Sequence, residues 1–189
     1  PVCRLLIVLT SLLTAAMAYA GNSGLARFPD IGHSAIVFTA GGDLWSVSDQ
    51  GGVARRLTTH EGQERFARIS PDGKWIAYSA EYEGSTAVWV IPFEGGAARR
   101  LTWHAGGGMD DMVWDWTADS QRILFSSRVF STTRRYQEYY TVSIEGGLPV
   151  ALPTSDAGPA AYLPNGDLVF NRYMRNFRNW KRYTGGMQQ

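Results

Sequence analysis

The stretch GGVARRLTTHEG (51–62) returns as GGAARRLTWHAG (95–106), shifted by 44 residues at every matching position. Copies of one unit at fixed spacing must fold alike and pack on one another, so the period restricts the architecture before any single residue is considered. Gly-Gly occurs again at 146–147 and 185–186. The turn SPDGKW (70–75) corresponds to TADSQR (117–122) and to LPNGDL (163–168), with apolar runs IAYSA, ILFSS and LVFNR around or after them. AIVFTA (35–40) holds the same place in the first copy. DLWSVS (43–48), AVWVIP (87–92) and YYTVSI (139–144) form the next run of each unit. The third unit is longer, and its extra residues fall in HAGGGMDD and RVFSTTRRYQE, both between strands, where insertions are tolerated.

Each unit therefore holds four strand-like segments, exemplified by ERFARIS, WIAYSA, AVWVI and AARRLT. Their punctuation is turn chemistry: Pro71 presets φ, Asp72 caps, and Gly73 supplies a positive φ. Four antiparallel strands in about 40–45 residues is the period of a propeller blade. A β-sandwich would also give short strands, but not a shared signature at a shared spacing. The expected fold is all-β, a β-propeller of four-stranded antiparallel blades. The repeats fall at about 28–58, 64–102, 111–153 and 158–189, the last incomplete. Four units without a closing strand, in a chain opening with Pro1 and not Met, predict an incomplete ring in a fragment of a longer protein.

Residues 1–20 read differently. Arg4 precedes the apolar stretch LLIVLTSLLTAAMA, too short to span a bilayer and followed by the small-x-small site Ala18-Tyr19-Ala20. This predicts a signal peptide, a propeller segment over 21–189, and an exported protein, periplasmic or secreted. Removing it also removes Cys3, the one cysteine, and with it disulfides, thiol catalysis and cysteine metal sites. The net charge of +1 gives no electrostatic case for nucleic acid or a membrane surface.

Two segments carry a resemblance. LTTHEGQERFARISPDGKWIAYSAEYEGSTAVWVIPFEGGAARRLTWH is similar to early blades of the tricorn protease family, and NFRNWKRYTGG (176–186) resembles a segment opening a later tricorn blade. The repeats also resemble those of the periplasmic TolB propellers. The tricorn resemblance implies one or two N-terminal propellers, a PDZ domain and a serine peptidase core further along the chain. The propellers would shape substrate access and bind peptide or protein substrate, and a homo-oligomer is compatible with it. The export signal fits exported bacterial relatives. No nucleophile motif of the family matches here, so no catalytic residue is carried over and no cofactor is implied. The alternatives are a non-enzymatic TolB-like propeller binding protein partners, and a propeller joined to a prolyl-oligopeptidase or amidohydrolase relative.

The residues themselves offer few chemical candidates. His60 and His104 recur 44 residues apart, which points to a repeated structural hydrogen bond, and His33 reads as a solvated turn residue. No HExxH or paired-ligand spacing occurs, so no metal site is expected. Asp110, Asp111 and Asp115 suggest a solvated loop more than a cation site or an acid–base pair, with Asp115 expected on a strand. No G-x-S-x-G elbow is present, and Ser70 belongs to the repeated turn. The C-terminal RYMRNFRNWKRY interleaves Arg172, Arg175, Arg178, Lys181 and Arg182 with aromatic residues. Export and neutral charge disfavour nucleic acid; packing between blades, or Arg forks holding peptide carboxylates, suit it better. Arg134 and Arg135 stand in the inserted loop of the third unit and are the best rim contacts. The candidate peptide-contacting residues are thus Arg134, Arg135, Arg175, Arg178, Lys181 and Arg182.

Overall fold

A computed structural model describes residues 25–103, 111–129, 137–154 and 157–171. The described residues form strands and turns with no helix. The first sheet joins β1 (Arg27–Gly32), β2 (Ala35–Ala40), β3 (Asp43–Ser48) and β4 (Arg55–Arg56) in chain order. The second joins β5 (Glu64–Ile69), β6 (Trp75–Glu81), β7 (Thr86–Pro92) and β8 (Arg99–Arg100). The third joins β9 (Met112–Trp116), β10 (Arg122–Ser127), β11 (Glu138–Ser143) and β12 (Val150–Ala151). The last pairs β13 (Ala160–Tyr162) with β14 (Leu168–Phe170). Every pairing is antiparallel, so each full sheet is an up-and-down meander: a propeller blade.

The cores lie between blades. Val37 and Leu44 of the first blade pack on Ile76, Tyr78 and Ile91 of the second. Ala77, Val88, Val90 and Leu101 of the second pack on Val113, Trp116, Ile123 and Phe125 of the third. The second blade is thus covered on both faces, and its strands β6 and β7 are nearly continuous buried runs, whereas β2 alternates buried with half-buried. Period-two alternation, expected for every strand, holds where one face lacks a neighbour and fades where both faces are covered.

The turn of the second blade is built by its own side chains. Ser70 Oγ accepts from Trp75 N (3.0 Å) and donates to Asp72 Oδ1 (2.6 Å), which accepts from Lys74 N (3.1 Å). Thr117 and Asp119 repeat the arrangement in the third blade, with Thr117 Oγ1 to Asp119 Oδ1 at 2.6 Å and Gln121 N to Asp119 Oδ1 at 3.0 Å. Ser120 takes the left-handed place of Gly73, at φ 59°, and its Oγ accepts Asp72 N of the preceding blade at 3.0 Å.

His33 corrects the expectation of a merely solvated turn residue. Although exposed, its Nε2 lies 2.9 Å from Pro71 O, tying the first turn to the second. The ring comes so close that a Cβ on Gly73 (φ 71°) would meet His33 Cγ and Nδ1 at 2.7 Å. Gly73→Ala should therefore lower stability by about 1–3 kcal/mol, through the left-handed φ and the clash together. Adding His33→Ala should recover the steric part and leave roughly the φ cost of about 1–2 kcal/mol. Urea unfolding of the two variants checks this; no recovery in the double variant would acquit the ring contact.

Candidate functional site

The motif Arg-Arg-Leu-Thr ends each of the first two blades, and its side chains explain why it repeats. Leu57 and Leu101 enter the inter-blade cores. Arg56 Nε donates to Thr58 O (2.8 Å) and Arg100 Nε to Thr102 O (2.7 Å), which shapes the crossing to the next blade. The threonine hydroxyls then face two ways. Thr58 Oγ1 accepts from Leu44 N (2.8 Å) and donates to Glu64 Oε2 (2.9 Å). Thr102 Oγ1 accepts from Val88 N (2.9 Å) and donates to Asp111 Oδ2 (2.8 Å). Both acids open the following blade and are fully buried. At the third crossing Pro153 stands where the threonine would be. There the Tyr139 hydroxyl donates to Gly158 O (2.9 Å) and accepts from Gly158 N (3.0 Å).

Glu64 is the most perturbed acid of the described residues. Its Oε1 accepts the Tyr82 hydroxyl at 2.6 Å, and Tyr82 lies 3.3 Å from the Tyr78 hydroxyl. Burial pushes its pKa up to about 6, against the opposing pull of the Tyr82 and Thr58 hydrogen bonds. The same burial raises both tyrosines. A carboxyl titrating near 6 has the proton affinity of a general acid or base. Its oxygens are spent on Thr58 and Tyr82 inside the blade junction, so its role is structural. The cue in the sequence was the threonine of LT followed by an acid six or nine residues on.

Asp111 and Asp115 belong to this framework too: Asp111 is buried at a junction and not in a solvated loop, and Asp115 lies on a strand as expected. Asp111 closes the second junction, and Asp115 lies in β9, accepting from Trp116 N (2.8 Å) and from Tyr162 N of the next blade (2.7 Å). Asp30 accepts Ile69 N (2.8 Å) and Arg68 donates to Trp114 O (2.8 Å) at the matching places of β1 and β5. These bridges set the leading strands of successive blades side by side as one inner wall. Burial holds the Asp30 carboxyl above its ordinary value, against its bond to Ile69 N and the Arg68 charge. Asp110 lies outside the described residues.

His60 makes the expected structural bond, accepting Gly62 N at Nδ1 (3.0 Å), and stacks on Tyr82 with centroids 3.9 Å apart. His104 lies outside the described residues, as do Arg134, Arg135, Arg175, Arg178, Lys181 and Arg182. Ser70 is buried within its turn. Among the described residues no cluster of three metal-ligating side chains occurs, and no helix long and apolar enough to cross a membrane.

On the inner wall the leading strands carry bulges. Phe28 (φ 52°) and Phe66 (φ 56°) sit in them, with rings 4.5 Å apart, and Trp114 continues the row 5.8 Å from Phe66. At the end of the wall where β1 and β5 begin lies a pocket of about 300 Å³ lined by Arg27, Phe28, Glu64 and Arg65 among others. A groove of about 380 Å³ between the first two blades is walled by His60, Tyr82 and Trp89.

Residues 23–189 match the family described as the tricorn protease N-terminal beta propeller domain. Over 160 residues the chain is 35% identical to tricorn protease homolog 1 of Streptomyces coelicolor, covering 85% of this chain and 15% of that protein. Over 165 residues it is 28% identical to a protein of Sulfurisphaera tokodaii named as a tricorn-like protease N-terminal subunit, covering 86% of this chain and 83% of that one. The crystal structure of the tricorn protease superposes at TM-score 0.68 with 22% identity, over 78% of this chain and 15% of that one. TolB of Acinetobacter baumannii gives 0.64 with 23% identity, over 81% and 39%. These likenesses are those of fold.

The Glu64 junction has a pH signature. Between the unfolded value near 4.5 and the folded value near 6, the native state holds a proton that the unfolded chain has lost. The stabilisation is complete below about 4.5 and is lost as pH rises to about 6, on the order of 1–2 kcal/mol. Urea midpoints should fall across that window, and Glu64→Gln, fixed in the neutral form, should flatten the fall. An unchanged slope in the variant would assign it to another group.

Proposed function

The chain belongs to the tricorn protease N-terminal β-propeller family, and from that membership we propose that it is the N-terminal propeller portion of an exported tricorn-like serine peptidase. The observation that carries this is the family match over 23–189 together with a 35% identical relative of which the chain spans 15%. The blades would shape the approach of extended peptides, and proteolysis would belong to PDZ and peptidase domains elsewhere in the protein, whose chains could self-associate. The interior of the blades supports this division of labour. Each acid, serine and threonine of the blade junctions and repeated turns described above is committed to holding the fold, and none is poised beside a base. Export follows from the apolar stretch and Ala18-Tyr19-Ala20.

A relative of similar length named as an N-terminal subunit suits a propeller that works with peptidase domains as a separable part. The second reading, a TolB-like propeller that binds protein partners without catalysis, draws on the TolB likeness in fold.

The full-length protein decides between them. Hydrolysis of peptides of about ten to twenty residues, abolished by a serine-directed fluorophosphonate, is expected; absence of any hydrolysis favours the binding propeller. In the active protein, Arg134→Ala with Arg135→Ala should raise KM for peptides about ten-fold and leave kcat within about two-fold, as for lost ground-state contacts. Unchanged KM removes these two arginines from the peptide path. Residues 1–30 fused ahead of a leaderless alkaline phosphatase should give active, exported phosphatase, and cytoplasmic retention would sink the export reading.

A further inference from the structure

The turn between the first two strands of a blade recurs in the fourth blade as LPNGD (163–167), over the places of SPDGK (70–74) in the second and TADSQ (117–121) in the third. The backbone geometry is shared. Gly73, Ser120 and Gly166 are left-handed, at φ 71°, 59° and 87°, and their N–H groups donate to Ser70 O, Thr117 O and Leu163 O. In each turn one side-chain oxygen accepts the N–H two residues on. Asp72 takes Lys74 N at 3.1 Å, Asp119 takes Gln121 N at 3.0 Å, and Asn165 takes Asp167 N at 3.1 Å.

What differs is the support for charge. In the second and third turns a hydroxyl donates to the carboxylate, Ser70 Oγ to Asp72 Oδ1 and Thr117 Oγ1 to Asp119 Oδ1, both at 2.6 Å. These hydroxyl bonds are the main reason that both carboxyls are held below their ordinary value. Lys74 Nζ adds a cation 3.5 Å from Asp72 Oδ2. In the fourth turn Leu163 replaces the hydroxyl, and Asp167 stands where Lys74 and Gln121 stand. A carboxylate at 165 would thus lose a donor and gain a like charge. The carboxamide suits the place: its Nδ2 donates to Asp167 Oδ2 at 2.7 Å.

That carboxamide is also open to attack by the backbone nitrogen that follows it. Asn165 is the one asparagine of the chain that a glycine follows, and glycine has no side chain to hinder ring closure. A Cβ on Gly166 would meet nothing within 4 Å, whereas one on Gly73 would meet the His33 ring at 2.7 Å. Asn165, Gly166 and Asp167 are all exposed. In the closed turn Leu163 O holds the Gly166 N–H at 2.8 Å, so the reaction waits on opening of the turn. The strands it joins, β13 and β14, have three residues each and none of these is buried. Exposed hydrogen bonds with little apolar cover open at low cost.

We infer that Asn165 is a deamidation site and that the carboxylate formed there loosens the fourth turn. Gly166 N bonds to Asn165 Cγ and closes a succinimide. The Cγ–Nδ2 bond breaks, and Nδ2 leaves as ammonia with the proton given up by Gly166 N. Water then opens the imide at either carbonyl, leaving aspartate or isoaspartate at position 165. The aspartate sets two carboxylates together where Nδ2 had met Asp167, and Leu163 offers no hydroxyl to take up the charge. The bond from Asp167 N can persist, as in the other turns, so the turn loosens without being lost. Isoaspartate lengthens the backbone inside the turn and pulls Gly166 N away from Leu163 O.

The test begins with peptide mapping of the full-length protein kept in mildly alkaline buffer at physiological temperature. Mass spectrometry should find the exchange of NH2 for OH at Asn165, as aspartate and isoaspartate, ahead of any at Asn171. Asn165→Gln, whose longer side chain closes the ring poorly, should stay unmodified. Absence of the exchange at Asn165, or a rate no faster than at Asn171, would overturn the site. Hydrogen exchange reads the consequence. In Asn165→Asp the amides of β13, β14 and their turn should exchange about five-fold faster at neutral pH, with the second-blade turn unchanged. Adding Asp167→Gln restores the order of acid and amide found in the third turn and should return exchange to its original rate. Unaltered exchange in Asn165→Asp, or an acceleration that Asp167→Gln leaves in place, would overturn the loosening by charge. Neither readout involves peptide hydrolysis, so the outcome is independent of the peptidase reading.

Discussion

A threonine hydroxyl shared between two blades is the contact on which the propeller depends. Each time the chain leaves the outer strand of one blade it must return to the inner strand of the next, and the crossing passes through apolar packing on both sides. Thr58 and Thr102 solve this by satisfying a backbone N–H of their own blade and an acid of the following one. A buried carboxyl without donors would cost several kcal/mol. Donors from its neighbours make it a peg that fixes how one sheet sits on the next. Where Pro153 removes the hydroxyl, Tyr139 reaches the following blade and bonds both backbone groups of Gly158. The side chain changes and the requirement for a polar link persists.

The same logic orders the rest of the ring. Adjacent blades meet at three levels: the turns, the inner wall and the crossings. The partners differ at each level from one junction to the next. His33 reaches Pro71 O, whereas the second turn reaches the third through Asp72 N and Ser120 Oγ. Asp30 and Asp115 accept backbone N–H groups on the inner wall, while Arg68 donates to a carbonyl there. Repetition is therefore stricter in geometry than in residue identity, as expected when each unit is stabilised by its nearest neighbours.

This explains what could be read from the sequence. The period, the Pro-Asp-Gly turn and the Gly-Gly hairpins are local signals, and they located the strands that the structure contains. The Arg-Arg-Leu-Thr motif was visible as a repeat, but its meaning lies in a contact with an acid whose separation differs, Glu64 being six residues past Thr58 and Asp111 nine past Thr102. Variable spacing hides such a pair from a search at fixed period. Asp111 looked like part of a hydrophilic loop, and the bridge made by Asp115 was hidden, because their donors come from neighbouring blades; Tyr162 N is 47 residues from Asp115. His33 looked solvated for the same reason, since its partner carbonyl is 38 residues away.

A repeat protein also offers its own controls for judging function. A polar side chain that recurs with the fold and finds its partner in the neighbouring blade is explained by the fold, as the junction acids and turn serines are. Arg27 and Arg65 recur at one register place, follow the fold in position, and yet find no partner, while the strands bearing them hold phenylalanines in strained backbone. The Arg65 Nε shut off without an acceptor and the two phenylalanines at positive φ are each unfavourable. Met112, at the matching place of the third blade, shows that the strand forms without an arginine and its bulge without positive φ. Both are therefore local departures that the pairing of a blade does not itself require.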